Sequence, residues 1–312
     1  MDNQDKIKNA LKVCHLYYED GLSQGEIAIK LNISRPTISR LLQFARNQGL
    51  LKIEIADPLK DLDVLATQLE HQYHLKKVVL IFDATNDLSA INEKIGAAAA
   101  DYLDSIIKDR DSIGISWGKT LESVANHLHP SKANNVSVVQ LKGSVSASEM
   151  NNFANDIITK FSTAFHTDAV NLPLPVIFDN AVTKNVVMQD RFINAIVQKG
   201  IDTNIALFTS GTVRSDAMLF NLGYLRDTEI SRLQAQSVGD VVSRFITSSG
   251  QLADNDINDR TVGIPLTALQ NKEYSILISG SSRKVASIRG ALLGGYANVL
   301  ITDSQTAAAL LG

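Results

Sequence analysis

The 312-residue chain is 45% hydrophobic and 20% charged with a net charge of −3, an ordinary globular composition that excludes a disordered, collagenous or disulfide-scaffold protein and leaves room for about two domains. Its single cysteine, Cys14, rules out an internal disulfide, and neither a signal-peptide core nor a run of about 18 uncharged apolar residues is present, so a cytoplasmic protein is expected. The charge is unevenly spread: from Ile27 to Ile53 the bases Lys30, Arg35, Arg40, Arg46 and Lys52 meet no acid, and local sign decides which surface meets phosphate.

Lys6 to Tyr18 places Ile7, Ala10, Leu11, Cys14, Tyr17 and Tyr18 on one face of a helix, closed by Asp20-Gly21. Ser23 is the expected N-cap of a short helix from Gln24 to Leu31, with Glu26 completing a capping box. After the turn Asn32-Ile33-Ser34, Ser34 caps a third helix whose first turn holds Arg35-Pro36 and which stops at Gly49. Ile38, Leu41, Leu42 and Ala45 face inward, which leaves Ser34, Arg35, Thr37, Ser39, Arg40, Gln43 and Arg46 as DNA-binding candidates. Arg and Gln suit guanine and adenine edges, while hydroxyls and a helix start suit phosphate. Leu51 to Ile55 alternates like the strand of a wing. The order predicts a winged helix-turn-helix over 1–56; a three-helix bundle with merely solvated charges is the rival.

A connecting helix over 57–76 spaces Leu62, Leu65, Leu69 and Tyr73 as an apolar seam, either for a dimer contact or for packing on its own domain. From 77 to 312 strands and helices alternate. Strands are expected at Val78–Phe82, Ser112–Ser116, Val136–Leu141, Ala169–Leu174, Ile205–Thr209, Ser275–Ser279 and Asn298–Thr302. Helices are expected at Ile91–Lys108, Thr120–Leu128, Asn151–Phe165, Val186–Lys199, Asp216–Leu222 and Lys284–Gly294. The apolar runs VSVVQL, YSILIS and NVLIT suit strands covered on both faces, hence an α/β open sheet with ligands at the strand carboxyl ends. Four such ends are small and polar: Gly114–Thr120, Gln140–Ser144, Phe208–Val213 and Ser279–Lys284. Glycine lets backbone approach a ligand and a helix start attracts anions. Each alone is an ordinary strand-to-helix turn; together they fit a small phosphorylated ligand.

Gln24-Gly25-Glu26-Ile27-Ala28 followed by Asn32–Leu42 resembles the N-terminus of SorC-family bacterial sugar-responsive regulators. Ser116-Trp117-Gly118, Val139–Gly143, Leu172–Val176, Asn258–Gly263 and Gly280–Lys284 are similar to that family's effector domain. The resemblance runs nearly end to end. It implies operator DNA and a phosphorylated sugar as partners, a homo-oligomer, tetramer included, and an effector domain related to sugar-phosphate isomerase and deaminase folds without their catalysis. Within the family the resemblance implies the branch that represses deoxyribonucleoside catabolism genes and is relieved by deoxyribose 5-phosphate. Lys119 departs from the pattern, since relatives more often carry a small hydroxyl residue there.

The expected effector site comprises Lys142, Lys284, Ser281, Gly280, Ser116, Gly118, Lys119, Thr120, Gln140, Gly143, Asn258 and Asp259. Lys142, at a strand end beside Gly143, is either a solvated lysine or an amine that forms a Schiff base with the sugar aldehyde. Lys284, Ser281 and the Ser116–Thr120 turn are assigned the phosphate, with a routine surface lysine as the rival reading of Lys284; Asn258 and Asp259 either accept sugar hydroxyls or build a turn. Gln140 on a buried strand requires partners, from ligand or neighbour. Trp117 reads as packing more than stacking. The six histidines lack metal-ligand spacing, so no metal and no other cofactor is expected. A sugar-phosphate enzyme fused to a DNA-binding domain is the rival function; Asp179 and Asp259 are its evident acid–base candidates.

Overall fold

The computed structural model describes residues 3–53, 58–83, 87–145 and 152–312. The chain divides into two compact units, Met1–Asp57 and Pro58–Gly312. Among the described residues no helix is long and apolar enough to cross a membrane.

In the first unit α1 (Asn3–Cys14) runs into a π-helical turn, His15–Glu19, and is followed by α2 (Gln24–Leu31) and α3 (Arg35–Asn47). The wider turn rotates the apolar face. Leu16 is buried instead of Tyr18, which is 48% exposed. The capping box is present: Ser23 Oγ accepts from Glu26 N, and Ser23 N donates to Glu26 Oε2 at 2.8 Å. Asn32 adopts φ 53°, a left-handed C-cap that asparagine tolerates. Ala10, Val13, Cys14, Ile27, Ile38, Leu41, Leu42 and Ala45 form the core. Ser34 precedes α3, but its hydroxyl pairs with Thr37 Oγ1 at 2.8 Å rather than capping a backbone amide. Residues 51–53 form no strand, and the rest of the expected wing, 54 and 55, lies outside the described residues.

In the second unit the connecting helix α4 (Pro58–Gln72) packs on its own domain. Leu69 is fully buried with Leu75 and Val78, and Tyr73 Oη donates to the Leu310 carbonyl. A six-stranded sheet follows: β1 (Lys77–Ile81), β2 (Ser112–Ile115), β3 (Ser137–Gln140), β4 (Ile205–Phe208), β7 (Tyr274–Ile278) and β8 (Val299–Asp303). Every pair in it is parallel, in the order β1-β8-β7-β4-β2-β3. Side chains alternate between two cores. Ile205 and Leu207 join one, packed with α5 (Leu88–Ile106), α6 (Lys119–Asn126) and α7 (Ala154–Phe165). Ala206 and Phe208 join the other, with α4, α13 (Leu266–Gln270), α14 (Val285–Leu293) and α15 (Ser304–Leu311). The remaining elements are α8 (Ala181–Met188), α9 (Arg191–Asp202), α10 (Met218–Asn221), α11 (Asp227–Gln236), α12 (Asn255–Arg260) and an antiparallel hairpin of β5 (Gly239–Val241) and β6 (Arg244–Ile246).

Six of the seven expected strands are present. The exception is Ala169–Leu174, which pairs only at Val170. Its next free amide, Leu172 N, goes to the side chain of Gln140, and Pro173 and Pro175 have no amide to extend a ladder. The expected helix Val186–Lys199 is two helices, because Asp190 accepts from Phe192 N and Ile193 N and starts α9 anew. Lys284 does not begin a helix; it closes a 3-10 turn, Ser282–Lys284, ahead of α14.

Candidate functional site

Strand β2 pairs β3 on one side and β4 on the other, so the chain reverses its direction across the sheet between β2 and β4. The carboxyl ends of strands at such a reversal open a crevice. A cavity of about 400 Å³ lies there, lined by the ends of β2 (Trp117, Gly118), β3 (Lys142) and β4 (Thr209–Thr212), by α6 (Lys119, Thr120) and by the turn before α14 (Arg283, Lys284). Gly118, at φ 126°, makes the sharp entry into α6 that a side chain would oppose. The first amides of α6 therefore border the cavity with the positive end of the helix dipole.

Lys142 is 5% exposed and its amine is held from three sides. Nζ donates to Ser243 Oγ at 3.0 Å, sits 3.6 Å from the centroid of the Trp117 ring, and interacts with the Asp240 carboxylate. Trp117 is itself fixed by a bond from Nε1 to the Gly143 carbonyl, 2.8 Å. Burial dominates and draws the amine down to about 8, with Asp240 opposing. Lys284, whose Nζ donates to Thr209 Oγ1 at 3.4 Å, is likewise drawn down to about 8 by desolvation against Asp240. Asp240 is pushed upward by its own burial, while Lys142, the amide of Ser243 and Lys284 pull it back.

These groups meet because two ribbons are fastened beside the sheet. The hairpin joins the end of β4 through the Ser210–Val241 bridge and the bond from Gly211 N to the Asp240 carbonyl. A Cβ on Gly211 would lie 1.8 Å from Asp240 Oδ1, so only glycine leaves space for that carboxylate. On the other side Gly263 bridges Lys142, and its missing Cβ would lie 2.6 Å from the Leu141 carbonyl. Buried Arg244 ties ribbon to hairpin: it donates to the carbonyls of Ile264, Gly263 and Asn258 and to Asn258 Oδ1. Burial draws that guanidinium down to about 10, still charged at neutral pH.

The hairpin turn is strained. Val242 and Ser243 have φ 44° and 68°, where Asn-Gly is the usual pair and a β-branched residue is an outlier. Such conformations cost on the order of 1–3 kcal/mol each. The bond from Ser243 N to Asp240 Oδ2 and the burial of Val242 in the core hold the turn in place. Ser243→Ala should therefore lower stability by about 1–3 kcal/mol in urea denaturation at pH 7, since the Lys142 amine loses its hydroxyl acceptor while still buried.

Of the expected effector residues, Lys142, Lys284, Gly118, Lys119 and Thr120 line the cavity, and Gly143 supports it by holding Trp117. The others have different work. Gln140 Oε1 accepts from Leu172 N and Ser144 Oγ, so protein neighbours supply its partners. Ser116 N continues the sheet to the Leu207 carbonyl. Ser281 N donates to Asp303 Oδ2 and its hydroxyl accepts from Arg283 N; Gly280 packs on the same Asp303 carboxylate. Asn258 serves Arg244, and neither it nor Asp259 nor Asp179 reaches the cavity lining. Asp240, Ser243, Arg214, Asp216 and Arg283 escaped the sequence reading as site residues. An acid inside the apolar run Val238-Gly239-Asp240-Val241 was the available signal, because a buried carboxylate requires partners. Arg283 pairs with Asp216 at 2.5 Å across the rim, which pulls that carboxyl below its ordinary range. Among the described residues no group of three or more His, Cys, Asp or Glu side chains could hold a metal ion.

A sugar-binding domain family, Sugar-bind, matches residues 57–312. The deoxyribonucleoside regulator of Bacillus subtilis (strain 168) is 46% identical over 309 residues, 99% of each chain. The chain belongs to the SorC family of sugar-binding transcriptional regulators. The sorbitol operon regulator of Klebsiella pneumoniae is 31% identical over the whole of both chains. The crystal structure of that full-length regulator superposes with a TM-score of 0.74 at 29% identity, covering 99% of this family member and 100% of the other chain.

Proposed function

We propose that the protein is a non-enzymatic, DNA-binding repressor of deoxyribonucleoside catabolism genes, released from its operator by deoxyribose 5-phosphate. The observation that carries this reading is the cavity at the strand carboxyl ends, where five basic residues face two acids and the buried Lys142 amine is drawn down to about 8 beside a helix start. The Bacillus subtilis relative, a deoxyribonucleoside regulator, supports the deoxyribonucleoside part of this reading. In deoxyribose 5-phosphate O5 is esterified, so no pyranose closes and the open aldehyde is accessible. Neutral Lys142 attacks C1, the carbinolamine loses water, and an iminium forms. Lys284, Arg283 and the first turn of α6 take the phosphate dianion.

Arg35, Ser39, Arg40, Gln43 and Arg46 are exposed along α3, and Thr37 is half-buried. Arg40→Ala should cost about 1–3 kcal/mol on specific DNA, and Arg46→Ala should weaken all DNA uniformly. A homo-oligomer belongs to the same reading, because one helix-turn-helix covers little DNA and two half-sites call for symmetry. The test is fluorescence anisotropy on a duplex selected from random-sequence DNA by the protein. Deoxyribose 5-phosphate should release it, and linkage requires operator to lower sugar affinity by the same factor. Release by another sugar phosphate alone would leave a SorC-type regulator of that sugar; net conversion of the sugar into a different compound, followed by NMR, would make the domain an enzyme.

A further inference from the structure

We propose that the cavity also carries a proton-transfer activity: once a 2-deoxy sugar phosphate is held as an iminium on Lys142, the Asp240 carboxylate removes and returns a proton at C2, so the site exchanges C2 hydrogen with solvent. The inference rests on the covalent reading above and goes beyond regulation.

Lys142 and Asp240 line the same cavity, and Ser243 joins them, accepting from Lys142 Nζ at 3.0 Å and donating its own amide to Asp240 Oδ2 at 3.0 Å. That amide fixes one carboxylate oxygen. The other, Oδ1, lies over Gly211 in space that a Cβ would fill, within the cavity wall. A strained turn is maintained to keep this carboxylate and serine beside the amine. A sugar lacking the 2-hydroxyl presents a CH2 at C2, next to C1. When C1 is an iminium, the cationic nitrogen is an electron sink, and an ordinary carboxylate is base enough for the adjacent C–H. The C2–H bond breaks and its proton goes to Asp240. The electron pair forms C1=C2, and the C=N π pair moves to nitrogen, giving a neutral enamine. Return of a proton from Asp240 reverses each change, and between the two steps the carboxyl exchanges with water. Nothing is consumed. Burial pushes the Asp240 carboxyl upward, and the amines of Lys142 and Lys284 on either side pull it back toward the ionised form. A base fixed on one side of the sugar reaches one of the two C2 hydrogens.

The experiment incubates the full-length protein with deoxyribose 5-phosphate in D2O, following the C2 signals by proton NMR and sugar mass, with a parallel borohydride trap. We expect a single deuterium per sugar, introduced at least tenfold faster than with Lys142→Met. Asp240→Asn should lose the exchange at least tenfold per molecule of adduct, each protein's exchange rate being divided by the adduct its own borohydride trap recovers. A wild-type adduct without exchange above the Lys142→Met rate, or unchanged exchange in Asp240→Asn, overturns the inference and leaves the covalent reading standing. No adduct removes both. If Asp240→Asn does not fold, the wild type alone decides: loss of both C2 hydrogens at equal rates overturns the proposal.

Discussion

Lys142→Met should give no borohydride-stable adduct with deoxyribose 5-phosphate and should no longer release operator when the sugar is added, whereas the wild type gains on Lys142 the mass of one sugar less one water plus two hydrogens. The reason is the state of the amine. An ordinary lysine with a pKa near 10.4 is neutral in roughly one molecule in 2,500 at pH 7. Drawn down to about 8 by burial, Lys142 is neutral in about one in ten, a roughly 200-fold gain in nucleophile. The Trp117 ring opposes this, since a cation over an aromatic face is favoured, and so does Asp240. Burial outweighs both. Trapping should therefore rise with pH to a midpoint near 8. A midpoint above 10, measured by mass spectrometry of quenched samples, would mean that the amine is solvated and the cavity does not activate it. Operator release without any adduct would leave induction in place and discard the Schiff base.

The sheet was legible because its strands are short unbroken runs of Val, Ile and Leu, which only a strand covered on both faces accommodates. Lys142 was legible for a related reason, a charged residue at the end of such a run beside Gly143. What failed depended on partners distant in sequence. Ala169–Leu174 has strand composition, yet Gln140 captures its amide from 32 residues away. Asn258 and Asp259 looked like sugar ligands because nothing in the sequence announces that Arg244 occupies Asn258. The hairpin around Asp240 was the largest omission. Its strands have three residues each, and its turn is Val-Ser instead of the Asn-Gly that signals a hairpin. The strain that hid it from sequence reading is the strain that sets the site.

Between pH 8 and 10 the unfolding free energy should rise by on the order of 2–3 kcal/mol for each of three lysines, Lys142, Lys272 and Lys284. Lys142 and Lys272 are 5% exposed, and all three amines are drawn down to about 8 by desolvation. Lys272 lies away from the cavity, where Nζ donates to the carbonyls of Gly200 and Ile201 at the end of α9. Above pH 8 the folded amines are neutral, while the unfolded chain keeps theirs protonated up to about 10.4. The unfolded state thus binds more protons across this window, and stability must increase with pH. Below pH 8 both states are protonated and the full cost of burying the cations is present. Cys14, raised by burial, acts with the opposite sign once unfolded thiols ionise near pH 9, and so do Tyr102, pushed up to about 12, and Tyr296, also raised, once the unfolded phenols ionise near pH 10. They set the upper limit of the window. Buried Asp240 is coupled to Lys142 and Lys284, whereas the carboxylate opposing the shift of Lys272 is the exposed Asp202, so Lys272 gives the cleaner measurement. Urea denaturation at pH 8 and pH 10 should show the rise in the wild type, and Lys272→Met should lose its 2–3 kcal/mol share of it, whatever the variant's stability at pH 7. An equal rise in Lys272→Met and wild type would mean that the Lys272 amine keeps an ordinary pKa in the folded protein.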